Sequence, residues 1–356
     1  MSAPARALDV LARTVAPLVL AILGSAVVLL ALGANPWAFY ADVLRFSLTG
    51  EGWQQTLTAM APLLLISLGL IVSFRAQLWN LGYGGTYLLS AAVVAGVAPA
   101  VFAFLPYGAA TLLLLVLAAG VGLILALIPA SLKAWFGTNE VITSLMTSFV
   151  AASLANLLVK GPFQDPSVSV PQTRVLDLEF MLAYVPGTRV HLGVVLAFAL
   201  VILMHVMLTR SSFGTRIDVL GLNPRAAAHA GIHVPRMTVA VFVVSGALIG
   251  LAGAIDMLGL WGYMRTDWNP GYGDKILPFV FLARLNPLGS VPLVGVYAVL
   301  ATGGTLAAQR AGISVDLLTL LVALVLFFMV IVEYLAARHS VGRSYLPRGI
   351  FKAVRA

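Results

Sequence analysis

The chain has 356 residues, 61% hydrophobic and only 10% charged, with a mean hydropathy of +1.01 and a formal net charge of +8. A soluble core cannot absorb that much apolar sequence at this length, so the composition excludes a soluble globular domain and indicates a polytopic helical membrane protein. With no cysteine there are no disulfides or thiolate metal sites, the five histidines lack ligand spacing, and the basic residues are dispersed over short loops, which fits membrane topology better than nucleic-acid binding.

The N-terminal stretch carries Arg6 and Arg13 and is expected on the cytoplasmic side. Val15–Leu32 is the first span; it has no suitable small-residue cleavage pattern and reads as a retained helix. Residues 35–52 hold Trp37, Phe39, Tyr40, Asp42, Arg45 and Glu51, too polar to span, with aromatics suited to the outer interface. Gly52–Phe74 is charge-free and forms span two, with Pro62 expected to kink it. No charge occurs from Ala76 to Leu132, and two spans fit there, Thr86–Phe104 and Ala109–Ile128.

Between spans two and three lies FRAQLWNLGYGGT, residues 74–86, where Gln77, Trp79, Asn80 and Tyr83 occur among three glycines. Polar side chains and broken backbone are tolerated at membrane depth only where they face a cavity or a partner. These four residues, together with Asn286, are therefore candidates for a substrate path. A helix-packing patch of small residues is the alternative. Further on, Thr138 or Asn139 can cap the helix that begins here, and the Glu140 carboxylate suits its positive end or a gate. Val141–Val159 is span five. Residues 160–190 carry Asp165, Asp177 and Glu179 and are expected outside, either meeting a delivery protein or simply connecting.

Val190–Leu208, span six, returns to a polar, basic stretch at 209–236. Arg210, Arg216, Arg225 and Arg236 mark it as cytoplasmic. Asn223 can cap a short helix with Pro224 at its first position, Ala226, Ala227 and Ala228 continue it, and Gly231 ends it. This flat alanine surface is either a docking face or an ordinary connector. Span seven, Met237–Ile255, places Gly246 and Gly250 on one face with Gly253 nearby, an arrangement for close helix packing. Asp256 is expected at the outer end of that span, which leaves no buried acid or base along the path. Residues 258–275 are glycine- and aromatic-rich and expected outside. Trp261, Tyr263 and Trp268 are either interfacial anchors or the mouth of a pathway, where stacking on a sugar or base would suit them.

Only eight uncharged residues separate Lys275 from Arg284. That is about 12 Å of helix, far short of a core roughly 30 Å thick. Either the helix starts earlier and carries Asp274 and Lys275 toward a cavity, or 276–283 is a broken half-helix of the kind found at transporter sites. Pro292–Leu306 and Leu317–Glu333 complete the spans, followed by a basic tail with Arg338, Arg343, Arg348, Lys352 and Arg355. The expectation is an all-α polytopic membrane protein forming a single permease domain over 1–356. It has about ten transmembrane helices and both termini in the cytoplasm, which places about two-thirds of the Lys and Arg inside. No GxxxxGK[ST] motif occurs, nor any nucleophile–base or metal constellation, so catalysis, metals and cofactors are not expected in this chain.

The run Gly221-Leu-Asn223-Pro-Arg225-Ala-Ala227-Ala-His-Ala-Gly231, followed by Ser245-Gly246 and Gly250-Leu-Ala-Gly253, resembles the permease subunits of bacterial ABC importers. The branch is that of simple-sugar and nucleoside permeases, related more distantly to branched-chain amino-acid permeases. Gly137-Thr-Asn139-Glu140 and Arg284-Leu-Asn286-Pro287 are similar to the same family, and the resemblance covers roughly Ala61 to Glu333. Where the family has an acidic residue and a glutamine after its Asn-x-Gly, this chain keeps Asn80 and Gly82 but has Gly84 or Gly85 and then Thr86.

The resemblance implies that Arg216, Gly221, Asn223, Pro224, Arg225, Ala226, Ala227 and Gly231 belong to a coupling segment seated on a separate ABC ATPase subunit. It also implies a second permease copy or a paralogue, an extracytoplasmic substrate-binding protein and a surrounding lipid bilayer, with no nucleic acid. ATP and Mg would sit on the partner ATPase. The implied substrate is a nucleoside or simple sugar. A branched-chain amino-acid permease and a stand-alone carrier are the alternatives, the latter weakened because Glu140, Asp256 and Glu333 all fall at span ends.

Overall fold

The computed structural model describes residues 3–340; Arg343, Arg348, Lys352 and Arg355 of the basic tail lie outside the described residues. Long runs of Leu, Ala and Val form helices because lipid offers backbone groups no partner but one another. The helices are α1 (Ala3–Ala31), α2 (Pro36–Leu48), α3 (Gly52–Arg75), α4 (Tyr83–Phe104), α5 (Tyr107–Phe136), α6 (Glu140–Lys160), α7 (Leu192–Arg210), α8 (Ser212–Leu222), α9 (Pro224–His229), α10 (Val234–Asp256), α11 (Tyr272–Leu282), α12 (Pro287–Ala311) and α13 (Asp316–Ser340). Among the described residues nine helices are long and apolar enough to cross a membrane. The remaining expected span is α11, which joins features of both alternatives: it starts earlier, at Tyr272, and carries Asp274 and Lys275, yet with eleven residues, about 16 Å, it stays a half-helix.

The helices form two compact units. One comprises residues up to Thr49 and from Val299 onward; the other is Gly50–Ala298. In the first, α1 packs against α13. Its core holds Leu29, Phe39, Val43, Ala307, Ala308 and Leu317. Helix α2 is short, with Asn35 capping its start and Pro36 at the first position. Arg310 reaches Asp42 at 3.0 Å.

In the second unit α10 is central and packs on α3, α4 and α5. Its glycines bring backbones into direct contact. A Cβ on Gly246 would lie 2.4 Å from the Gly122 carbonyl oxygen of α5, and one on Gly250 would lie 2.2 Å from that of Ala118. One on Gly253 would lie 2.6 Å from the Tyr87 carbonyl oxygen of α4. Helix α3 is buried along most of its length. The outer faces of α5, α6 and α7 present exposed Leu112, Val116, Phe149, Val150, Ile202 and Leu203, surfaces suited to lipid. Residues 161–191 form turns and isolated bridges rather than strands. They are stitched to the end of α10 by Leu176 N–H to Gly262 O at 3.0 Å and Leu182 N–H to Leu258 O at 2.8 Å.

Candidate translocation path and coupling surface

The path begins where the chain breaks after α3. Gln77 adopts a left-handed conformation (φ 56°), and the backbone then turns back into the bundle. Asn80 is buried; its amide donates to the Ser245 hydroxyl at 3.0 Å and its carbonyl oxygen accepts from Gly82 N–H at 3.1 Å. Two serines one turn apart on α6 satisfy the N–H groups freed by the break. Leu81 N–H donates to Ser144 Oγ at 3.0 Å and Gly85 N–H to Ser148 Oγ at 2.7 Å. The approach is close enough to require glycine, since a Cβ on Gly85 would lie 2.0 Å from the Ser148 carbonyl oxygen. Ser245 lies eleven residues into α10, about 16 Å along its axis. Helix α4 therefore starts inside the bundle, level with the middle of α10.

Four groups of aromatic and acidic side chains follow one another along α4, α10 and α11. Trp261 and Trp268 meet edge to face, 5.5 Å between centroids, beside a cavity of about 250 Å³ lined also by Tyr263, Arg265, Thr266 and Asp267. Below them Trp268 lies 6.0 Å from Tyr87, and Tyr87 lies 5.7 Å from Tyr272. The Tyr87 hydroxyl and the Trp261 indole both donate to the carboxylate of Asp256. Next, Tyr83 donates to Asp274 Oδ1 at 2.6 Å, and Gly273 makes room, because a Cβ there would lie 2.0 Å from the Tyr83 ring. Last comes an apolar stack. Phe74 and Phe281 lie parallel at 5.3 Å, with Trp79 at 5.0 and 6.0 Å from them.

Asp256 corrects the sequence expectation. It is 2% exposed and sits within the bundle, because α10 continues without interruption into a π-helical turn, Met257–Trp261. The apolar run resumes after it as Met-Leu-Gly-Leu-Trp, so its charge alone gives the residue a terminal place in the sequence. Its partners Tyr87 and Tyr272 are remote in sequence. Asp274 is exposed at the start of α11, and Lys275 Nζ donates to the Pro270 carbonyl at 2.8 Å.

Of the expected path residues, Asn80, Tyr83 and Trp79 lie along this series. Gln77 and Asn286 lie in exposed turns, where Asn286 caps α12 by accepting from Leu288 N–H at 3.0 Å. Before it, Arg284 and Leu285 are both left-handed (φ 52° and 56°). Each such non-glycine residue costs of order 1–2 kcal/mol.

At the end of the unit near the Phe74 stack, α8 and α9 form an exposed surface. Asn223 caps α9 by accepting from Arg225 N–H at 2.9 Å, and Pro224 occupies the first helical position. Ala227 is buried and anchors the helix; Pro224, Arg225 and Ala226 are exposed, and Gly231 (φ 78°) ends the segment. Leu222 is 87% exposed, an unusual position for so large an apolar side chain. Arg216 lines a groove with Phe213, Gly231, His233 and Arg236.

A feature not anticipated ties this surface to α3. Arg75 forms a two-pronged pair with Asp218, Nε to Oδ1 at 2.6 Å and Nη2 to Oδ2 at 2.7 Å. Gly221 lets α8 approach, since a Cβ there would lie 2.4 Å from the Arg75 carbonyl oxygen. Asp218 is the lone acid among the arginines of 209–236, and that was the available signal. Elsewhere Asn139 caps α6 through Val141 N–H at 2.9 Å, and Glu140 pairs with Lys133 at 2.8 Å. His191, just before α7, is 1% exposed, and its Nδ1 has no hydrogen-bond partner among the described residues. Burial pushes its pKa down to about 4. No group of His, Asp or Glu among the described residues could hold a metal ion.

Residues 53–342 match the family described as the permease component of the branched-chain amino acid transport system. A glucose ABC transporter permease protein of Haloferax volcanii is 33% identical over 91% of this chain and 87% of its own length. A nucleoside ABC transporter permease protein of Lactococcus lactis is 25% identical over 90% and 91%. A guanosine ABC transporter permease protein of Bacillus subtilis is 27% identical over 90% and 93%. A family match over most of the length, laid on a bundle of membrane-long helices with an interrupted path through it, leaves one conclusion: this chain belongs to that permease family, as a multi-pass cell-membrane transport component of an ABC transporter and not an enzyme.

Proposed function

We propose that this chain carries a nucleoside or simple sugar inward as the permease of an ABC importer. A separate ATPase drives it by docking on 212–231, the side that faces the cytoplasm. An extracytoplasmic binding protein delivers the substrate, and a second permease, identical or paralogous, completes the assembly. The observation that carries this reading is the path itself. Among the described residues its polar groups are phenols, indoles, an amide and two carboxylates; of the cations near them, Lys275 is engaged by the Pro270 carbonyl and Arg265 stands on the exposed rim. Such groups suit a neutral ring with hydroxyls. The glucose, nucleoside and guanosine names of the relatives point the same way. The test is ATP-dependent uptake of labelled guanosine, glucose and leucine by the assembled transporter. Uptake of guanosine or glucose is expected; uptake of leucine alone overturns the substrate reading.

A further inference from the structure

The cavity beside Trp261 and Trp268 is built differently from the rest of the path. Two indoles stand at an interplanar angle of 69°, forming a corner rather than a flat wall. Trp268 is also held from behind by the Tyr87 ring at 6.0 Å, and Tyr87 and Trp261 are both fixed by the one carboxylate of Asp256. A carboxylate 2% exposed among apolar helices is costly, and it is retained only where it organises something. Here it locks the donors of two rings and so fixes the corner before any ligand arrives. The rim is polar and mixed in sign. Arg265 and Thr266 face the cavity, and Asp267 Oδ1 accepts from the Asn156 amide at 3.1 Å while the Asp267 N–H donates to Asn156 Oδ1 at 2.9 Å. The loop is clamped from the other side by Thr173 N–H to Met264 O at 2.9 Å and by Thr266 Oγ1 to Pro171 O at 2.8 Å. The cavity, about 250 Å³, has room for one small ring system.

Resting on the substrate reading above, we propose that this corner is a substrate-binding site of the permease itself. It takes a neutral ring bearing hydroxyls, a pyranose or a nucleoside, stacked on Trp268, with its hydroxyls on the Arg265–Asp267 rim. Asp256 is a positioning residue, acting through Trp261 and Tyr87. Stacking needs a ring face, which a free aliphatic amino acid lacks, so discrimination rests on Trp268 rather than on the rim.

The test uses the full chain in lipid nanodiscs, titrated with guanosine, glucose and leucine while tryptophan fluorescence is followed, beside uptake by the assembled transporter. Saturable quenching by guanosine or glucose and none by leucine is expected. Trp268→Ala should weaken the apparent Kd about tenfold. Trp268→Phe keeps a stacking ring and should stay within about threefold, which separates lost stacking from lost folding. Asp256→Asn should weaken binding while keeping the selectivity order. Trp37 is not among the residues lining the cavity, and Trp37→Phe should leave the Kd unchanged. Quenching that survives Trp268→Ala unaltered, or absent quenching while guanosine or glucose uptake is intact, overturns the site and leaves the substrate reading standing. A transporter that takes up leucine and neither ring compound overturns both.

Discussion

The α5–α10 contact makes a sharp test because two glycines two residues apart on α5 have opposite surroundings. A Cβ on Gly122 would lie 2.1 Å from the carbonyl oxygen of Gly246, whereas a Cβ on Gly120 meets nothing within 4 Å. The obstructing atom is backbone, so no side chain can swing away. Gly122→Ala therefore forces the helices apart by about 1 Å, and a gap of that size forfeits a quarter to half of the dispersion energy along the seam. Overpacking of this kind costs about 1–3 kcal/mol. Gly120→Ala adds only helix propensity and should be neutral or stabilising by up to about 1 kcal/mol. Thermal unfolding of the purified chain in detergent should show Gly122→Ala lower by several degrees and Gly120→Ala at or slightly above wild type. Equal melting of the two variants would refute direct backbone contact between α5 and α10. Gly246→Ala should reproduce the loss from the other side, since its Cβ would lie 2.4 Å from the Gly122 oxygen.

Further predictions concern coupling and pH. Arg75→Ala should lower ATP-driven uptake several-fold while the chain still co-purifies with its ATPase; undiminished uptake would show that the Arg75–Asp218 pair transmits nothing. The pair is partly exposed, so its own contribution to stability should be no more than about 1 kcal/mol in a double-mutant cycle. Leu222→Asp should reduce co-purification with the ATPase while leaving membrane insertion intact, and unchanged recovery of the complex would exclude Leu222 from the docking face. His191 has a folded pKa of about 4 against 6.5 unfolded. The unfolded chain thus binds a proton first as pH falls. Stability should be flat above pH 6.5 and decline between about 6.5 and 4, by up to about 3 kcal/mol in all. His191→Gln should remove that slope in a melting series across the same range, and an unaltered slope would place its origin elsewhere.

Much of this architecture is legible in the order of residues. Charge-free runs mark the long helices, because an unpaired charge at membrane depth is costly. Lys275 and Arg284, with only eight residues between them, forced the question that α11 answers with a half-helix. Asn223-Pro224 and Asn139-Glu140 carry their capping chemistry locally, and Gly246 and Gly250 announce a close contact by spacing. The partner of that contact, Gly122, sits in an Ala- and Leu-rich stretch where nothing singles it out. Likewise Asp256 with Tyr87 and Arg75 with Asp218 are bonded across 169 and 143 residues of sequence, and only the packed bundle brings them together. Local patterns reveal elements and caps; the long-range pairs that shape the path do not repeat with any period.

The stack of Phe74, Trp79 and Phe281 has a consequence for the cell as a whole. A membrane that stores energy as an ion gradient cannot tolerate a continuous column of water through one of its proteins, because protons and other ions would run down along it. The phenyl rings of Phe74 and Phe281 offer water no hydrogen bonds and Trp79 only its single indole N–H, and apolar constrictions exclude water. The seal contains no titratable group, so it should insulate equally well at any cytoplasmic pH. Import can then proceed one molecule at a time without discharging the membrane it crosses.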